Sequence, residues 1–358
     1  MKIFILAALF STAVFAQIVP VPVSHSTATH NCSLLNTNVL CWGANGSGQI
    51  GDGTTMASEL PMMVAASATA IAVGGNHTCA IIGKGTLMCW GANNAGQLGD
   101  GTNATSVYPK IIVATGVTKI AAGYEHTCAV IAGKLNCWGG NADGQLGDGT
   151  VINKSVPTLI TTTMKAPLDI KAGLGHTCAV ATGGSLWCWG SNDSGQIGNN
   201  DIMGVLAPVQ IVATLATNIY SGSKHNCALI GGALKCWGDN QEGQIGTGNT
   251  MGVQIPTTII PQGVKGVALG ESHTCAVRYT ALRCWGSNDD GQFGNGTEDS
   301  SNSPVIIFPH GVNDVAAGSR FTCGIHDGIE SCFGENTSGQ LGDGTSISSS
   351  NPVDTQLY

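Results

Sequence analysis

Residues 117–150 read VTKIAAGYEHTCAVIAGKLNCWGGNADGQLGDGT, and the rest of the chain is that phrase repeated. Its His-x-Cys step recurs at His30, His77, His126, His176, His225 and His273, with Phe321 in the slot of a seventh copy, at spacings of 47, 49, 50, 49, 48 and 48 residues. Internal periods of this length signal arrays, solenoids or propellers.

Inside the third copy, residues 119–122, 126–131 and 134–138 are short apolar runs separated by Gly-rich turns, and a fourth run follows Pro157. We name the four expected strands A to D. Proline is tolerated at a strand start or on an outer edge, so D is expected to begin at the Pro. Gly reaches 52 and charged residues only a tenth of the chain, a composition that favours short strands and tight turns. Strict alternation along B puts His126, Cys128 and Val130 on one face and Thr127, Ala129 and Ile131 on the other. Two cysteines per repeat then fall on neighbouring antiparallel strands, where opposed Cα atoms approach to within disulfide range. The expected pairs are Cys32–Cys41, Cys79–Cys89, Cys128–Cys137, Cys178–Cys188, Cys227–Cys236, Cys275–Cys284 and Cys323–Cys332, with none left over.

An even cysteine count suits an oxidising compartment. The start of the chain agrees, since Met1 and Lys2 precede an apolar run and a Val14-Phe15-Ala16 step, which reads as a cleaved secretory signal over residues 1–16. That run is too short to span a membrane, and a net charge of −8 leaves no electrostatic footprint for nucleic acid. Residues 17–358 are expected to form one domain. Seven four-stranded units suit an all-β, seven-bladed β-propeller with antiparallel blades. A β-solenoid is the weaker alternative, because its coils are shorter and its ends need caps. Ring closure is open at this stage: residues 352–354 supply a last D strand, yet residues 19–23 could compete for that edge.

The units A-A-G-x-x-H-T-C-A-V, L-x-C-W-G-x-N-x-x-G-Q-L-G-D-G-T and a following Pro resemble the regulator of chromosome condensation repeat, whose family forms seven-bladed propellers. The resemblance covers nearly all of the chain beyond residue 16 and speaks for fold, which does not carry function. The family's chromatin-associated nucleotide-exchange member is nuclear and binds nucleosomes. An export signal, disulfide-type cysteines and the lack of a basic arm speak against that role here. The plant ultraviolet receptor that resembles this fold gathers Trp residues, whereas Trp42, Trp90, Trp138, Trp189, Trp237 and Trp285 come one per repeat and read as packing, with Phe333 in the seventh place. A secreted bacterial member that inhibits β-lactamase through one face is similar in compartment.

No catalytic set, metal site or cofactor motif emerges. His and Cys are zinc ligands, but seven identical copies without a C-x-x-C element favour a structural role. The histidine is expected to hydrogen-bond inside its blade. The N-x-x-G-Q-x-G-D-G-T loop lacks calcium-loop spacing, so its Asn and Gln read as turn-stabilising. We therefore expect a non-enzymatic, monomeric binding protein whose partner is a protein, basic to suit the acidic loops, or alternatively a glycan. An extracellular enzyme with a channel site is the third reading, opposed by the small apolar A strands. Strand parity puts A–B turns and C–D loops on one face. The positions that vary there are the candidate partner contacts: Tyr124, Glu125, Leu174, Lys224, Glu271, Arg320 and Phe321 in the turns, and Asp143, Asp193, Glu242, Asp289 and Asp290 at the loop tips.

Overall fold

The computed structural model describes residues 21–23 and 25–357, so the signal expected over residues 1–16 lies outside the described residues. Seven four-stranded antiparallel sheets, each in the order A-B-C-D, account for the strands. In the third blade these are Val117–Ala122, His126–Ile131, Lys134–Gly139 and Lys154–Leu159. The A strands surround the central channel. The D strands form the rim, each with one Pro, as at Pro157 and Pro352. Every D strand starts three residues before its Pro rather than at it. The missing N–H is tolerated there because the edge has no outer partner, and it discourages edge-to-edge pairing. Cys128 stands directly opposite Cys137, and all seven expected disulfides are present with Cα atoms 4.0 to 4.1 Å apart. Closing a loop of about ten residues contributes roughly 2.7 kcal/mol each in the chain-entropy picture.

The recurring C–D loop joins the blades. In the third blade Asn141 Oδ1 accepts the Leu146 N–H, and its Nδ2 donates to the Thr150 and Ile152 carbonyls at 2.9 and 3.2 Å. Gln145 Oε1 accepts the Asp143 N–H. So held, the Gln145 carbonyl reaches the fourth blade and accepts from Thr177 Oγ1 at 2.8 Å and Trp189 Nε1 at 2.9 Å. Gly147 must be glycine: at φ 77° a Cβ would stand 2.6 Å from that indole nitrogen.

The histidine does not bond within its blade as expected. His126 Nε2 meets Thr177 Oγ1 of the next blade at 2.9 Å, and His30, His77, His225 and His273 repeat the arrangement with threonines. Because the Thr hydroxyl already donates to the Gln carbonyl, the imidazole must donate through Nε2, leaving Nδ1 bare and buried without a partner. His176 donates likewise to Asn226 Oδ1. Burial first, and neighbouring imidazoles second, push His77 and His126 down to about 3. His30, His225 and His273 fall to about 3 as well, and His25 and His176 to about 4, with desolvation the leading cause.

Closure is settled by blades that are each contiguous in sequence. Val21–Val23 is the A strand of the first blade and Ser349–Asp354 the D strand of the seventh. The first and seventh blades meet with Trp42 Nε1 donating to the Gln340 carbonyl at 2.9 Å, Leu357 packed with Leu40 and Trp42, and the Ser319 and Gly344 N–H groups donating to the Ala28 and Glu59 carbonyls.

The imidazoles give a stability expectation. In the unfolded chain each titrates near 6.5, and in the fold only near 3 to 4. The fold excludes protons, so its stability is full above about pH 6.5 and is lost progressively as pH falls toward 3, by about 1.4 kcal/mol per pH unit for each histidine. Urea unfolding between about pH 6 and 4.5 should show this steep slope, and His126→Phe, which copies Phe321, should lower it by about 1.4 kcal/mol per pH unit. An unchanged slope would show that His126 takes its proton without unfolding.

Candidate functional site

Most expected partner contacts gather on the face bearing the A–B turns and C–D loops. Arg320, from the A–B turn of the seventh blade, reaches Glu271 of the sixth-blade turn at 3.9 Å and Asp290 of the sixth-blade loop at 3.6 Å. Ser319 Oγ donates to Glu271 Oε2 at 2.6 Å. Together with Glu242, Asp289 and Gln292 these residues line a notch of about 140 Å³. Four carboxylates therefore face one guanidinium. Further round the ring Lys224 pairs with Asp193 at 2.9 Å. Burial raises the Asp193 carboxyl, but hydrogen bonds from Gln196 and Lys224 outweigh it and hold the group below the usual range. Tyr124, Glu125 and Asp143 are exposed and Leu174 half-buried, all on the third- and fourth-blade side of the same face. Tyr124 lies against Gly75, and Asp143 against Gly175.

Phe321 leaves the candidate set. It is 1 % exposed because it opens a B strand and fills the histidine slot, facing the core rather than the turn surface. Three N-x-[ST] steps, the acceptor pattern for N-glycosylation, are closed to modification in the fold: Asn45, Asn192 and Asn336 are buried with their amides committed to loop carbonyls. Asn103, Asn153 and Asn295 are exposed.

The channel holds groups that sequence reading missed. Its wall is small and apolar along the second, third, sixth and seventh blades, but Lys171, Tyr220 and Ser221 replace this on the fourth and fifth. The steps Ile170-Lys171-Ala172 and Ile219-Tyr220-Ser221 were a visible break in the apolar A-strand pattern. From the first blade's longer A–B turn, His25 crosses the channel and its Nε2 meets the Ala172 carbonyl at 2.8 Å.

Cys323, Glu330 and Cys332 cluster at ligand-like distances, but both sulfurs are spent in a disulfide. The cluster instead marks the closure interface. Glu330 occupies the strand-C place held by Val39 or a leucine such as Leu135 in the other blades. It is 2 % exposed, takes one hydrogen bond from Ser33 Oγ of the first blade at 2.8 Å, and leaves Oε1 without a partner. Burial raises its carboxyl to about 7, with Asp314 adding to the effect.

These features define a disulfide-stapled, seven-bladed propeller that presents an acidic, variable face. The chain belongs to the RCC1-like domain family, whose model matches residues 24–357. Among solved structures it is similar to Prp20p from Saccharomyces cerevisiae, at 22% identity and TM-score 0.80 over 89% of this chain and 86% of that one. It is also similar to human WBSCR16, at 17% identity and TM-score 0.78 over 89% and 94% of the two chains. The ectodomain of the Arabidopsis thaliana receptor kinase ACR4 matches at 17% identity and TM-score 0.53, covering 95% and 98%. No curated protein matches the chain. Among the described residues no helix is long and apolar enough to cross a membrane.

Glu330 offers a second stability test. Its raised carboxyl means the fold binds a proton that the unfolded chain does not between about pH 7 and 4.5, so the burial penalty is full above pH 7 and relaxes as pH falls. Glu330→Leu with Ser33→Ala should raise unfolding free energy by roughly 1 to 3 kcal/mol at high pH and less in acid, read as a difference from the parent chain at each pH. A loss of stability at pH 8 would contradict it.

Proposed function

We propose that the protein is an exported, non-enzymatic binding scaffold that engages a basic protein partner through the face carrying the A–B turns and C–D loops. The carrying observation is the acidic notch where Glu242, Glu271, Asp289, Asp290 and Arg320 converge from three successive blades. Variable side chains sit there on loops whose bases are locked, the arrangement by which a rigid scaffold presents a binding surface. Acidic loops favour a basic partner and speed its encounter. Seven disulfides suit an oxidising compartment, which supports export through the signal proposed for residues 1–16. Prp20p, a structural relative, was studied for its binding to Gsp1p and histones, so partner capture is within the reach of this architecture.

A pull-down from culture fluid, followed by affinity measurement, tests the proposal. Replacing Tyr124, Glu125, Glu271 and Arg320 with Ala together should weaken binding about tenfold or more while leaving the melting temperature intact, and added salt should weaken the parent complex. Lys84→Ala and Lys134→Ala, at B–C turns on the opposite face, should bind normally. Loss in those two variants and not in the first would place the partner on the wrong face, and selective capture on a glycan array would replace a protein partner with a carbohydrate.

A further inference from the structure

The central channel encloses a cavity of about 260 Å³, just under the roughly 300 Å³ at which drug-sized pockets begin. Its wall is two-sided. Ile71, Ile120, Val267, Leu269 and Val315 give an apolar surface, while the fourth and fifth blades contribute Lys171, Tyr220 and Ser221. In a chain of net charge −8, no carboxylate among the described residues lines this cavity, and Lys171 is the one basic side chain among them besides His25, which is buried and neutral. Among the described residues no carboxylate lies within ion-pair distance of Lys171. A half-buried ammonium without a direct ion pair is left to be satisfied by solvent or a ligand.

The other polar groups are donors as well. Tyr220 is kept a phenol by burial, then by Asp169 and Asp314, which push it up to about 12. Those two carboxylates stand near Tyr220 but outside the cavity lining, Asp169 accepting from the Ile219 N–H at 3.4 Å and Asp314 from the Val315 N–H at 2.9 Å. Ser26 and Ser221 have buried hydroxyls without a hydrogen-bond partner, and both residues belong to the cavity wall. On the A–B side His25 spans from the first blade to Ala172 of the fourth, which leaves the B–C side as the way in.

We propose that the channel is a binding site for a small organic carboxylate with an apolar body, its anionic end held by Lys171, Tyr220 and the two serine hydroxyls and its body against the isoleucine and valine wall. This site is separate from the acidic face and does not depend on the function proposed for it.

Isothermal titration calorimetry of the full disulfide-bonded chain, with benzoate as probe and benzamide as its uncharged isostere, reads the site directly. Benzoate should bind saturably and about tenfold or more tighter than benzamide. Lys171→Met should remove that preference, Tyr220→Phe should weaken it, and Lys110→Met, on the rim, should leave it unchanged. Ala121→Leu, which fills the cavity, should abolish binding of both. If Lys171→Met fails to fold, the Tyr220 and Ala121 variants carry the test. No saturable benzoate binding to the parent chain, equal binding of benzoate and benzamide, or benzoate affinity that survives Lys171→Met in a folded protein would each overturn the assignment.

Discussion

The main-chain carbonyl of one glutamine per blade is the point on which the ring depends. At four of the seven interfaces it accepts two hydrogen bonds from the following blade, one from an indole and one from a hydroxyl, as Gln97 does with Trp138 and Thr127. Gln196 takes an amide in place of the hydroxyl, Gln292 the hydroxyl without an indole and Gln340 the indole alone. Each group is buried, so a missing partner would leave an uncompensated polar atom in the interior. The Asn and Gln side chains hold the loop at the height where that carbonyl points outward, and glycine lets the backbone lie against the indole. The imidazole above the hydroxyl completes a relay from one blade to the next and back. A four-stranded sheet with two apolar faces has no stable existence alone, and this relay sets the distance and angle at which neighbours cover it.

Closure uses the same device once more, from Gln340 to Trp42, but with altered neighbours. Phe321 stands where the histidine would be, and Asn31, in the threonine place, turns its amide to Cys323 Sγ at 3.1 Å. Glu330 and Ser33 substitute a polar contact for a leucine against an alanine. The closing interface thus lacks the histidine–hydroxyl relay and carries a buried carboxyl, offset by the C-terminal residues, where Thr355 and Gln356 return backbone hydrogen bonds to Glu330 and Gly342. The seam is held by side chains, by backbone bonds from Ser319 to Ala28 and from Gly344 to Glu59, and by a folded-back tail, not by a strand borrowed from the other terminus.

The same locking separates scaffold from surface. Loop bases are immobilised by the relay, whereas loop tips and the residues before each histidine meet no such demand and differ between blades. Their charges do not scatter evenly. Lys224 and Arg320 are each drawn onto acids of an adjacent blade, and Glu125, Asp143, Glu242 and Asp289 remain in excess. The channel differs from that face, with Lys171, Tyr220 and Ser221 along two blades of an otherwise small and apolar wall.

The period, the strand alternation and the paired cysteines were local properties, and they sufficed for blade number, strand order, disulfide pairing and the face on which the variable turns lie. Each rests on short-range geometry that every repeat restates. The partner of the histidine was not legible, because residue His126 and residue Thr177 meet only when two blades are set side by side. Phe321 shows the same limit: its position beside Arg320 in the chain suggested surface, while its place at the head of a B strand put it in the core. Nor could sequence decide between the two routes of closure, since Val21–Val23 fits either edge by pattern. The burial of Glu330, the crossing of His25 and the convergence of Lys171, Tyr220 and Ser26 belong to the closed ring alone, because only closure brings the first blade against the seventh and seven inner strands around one axis.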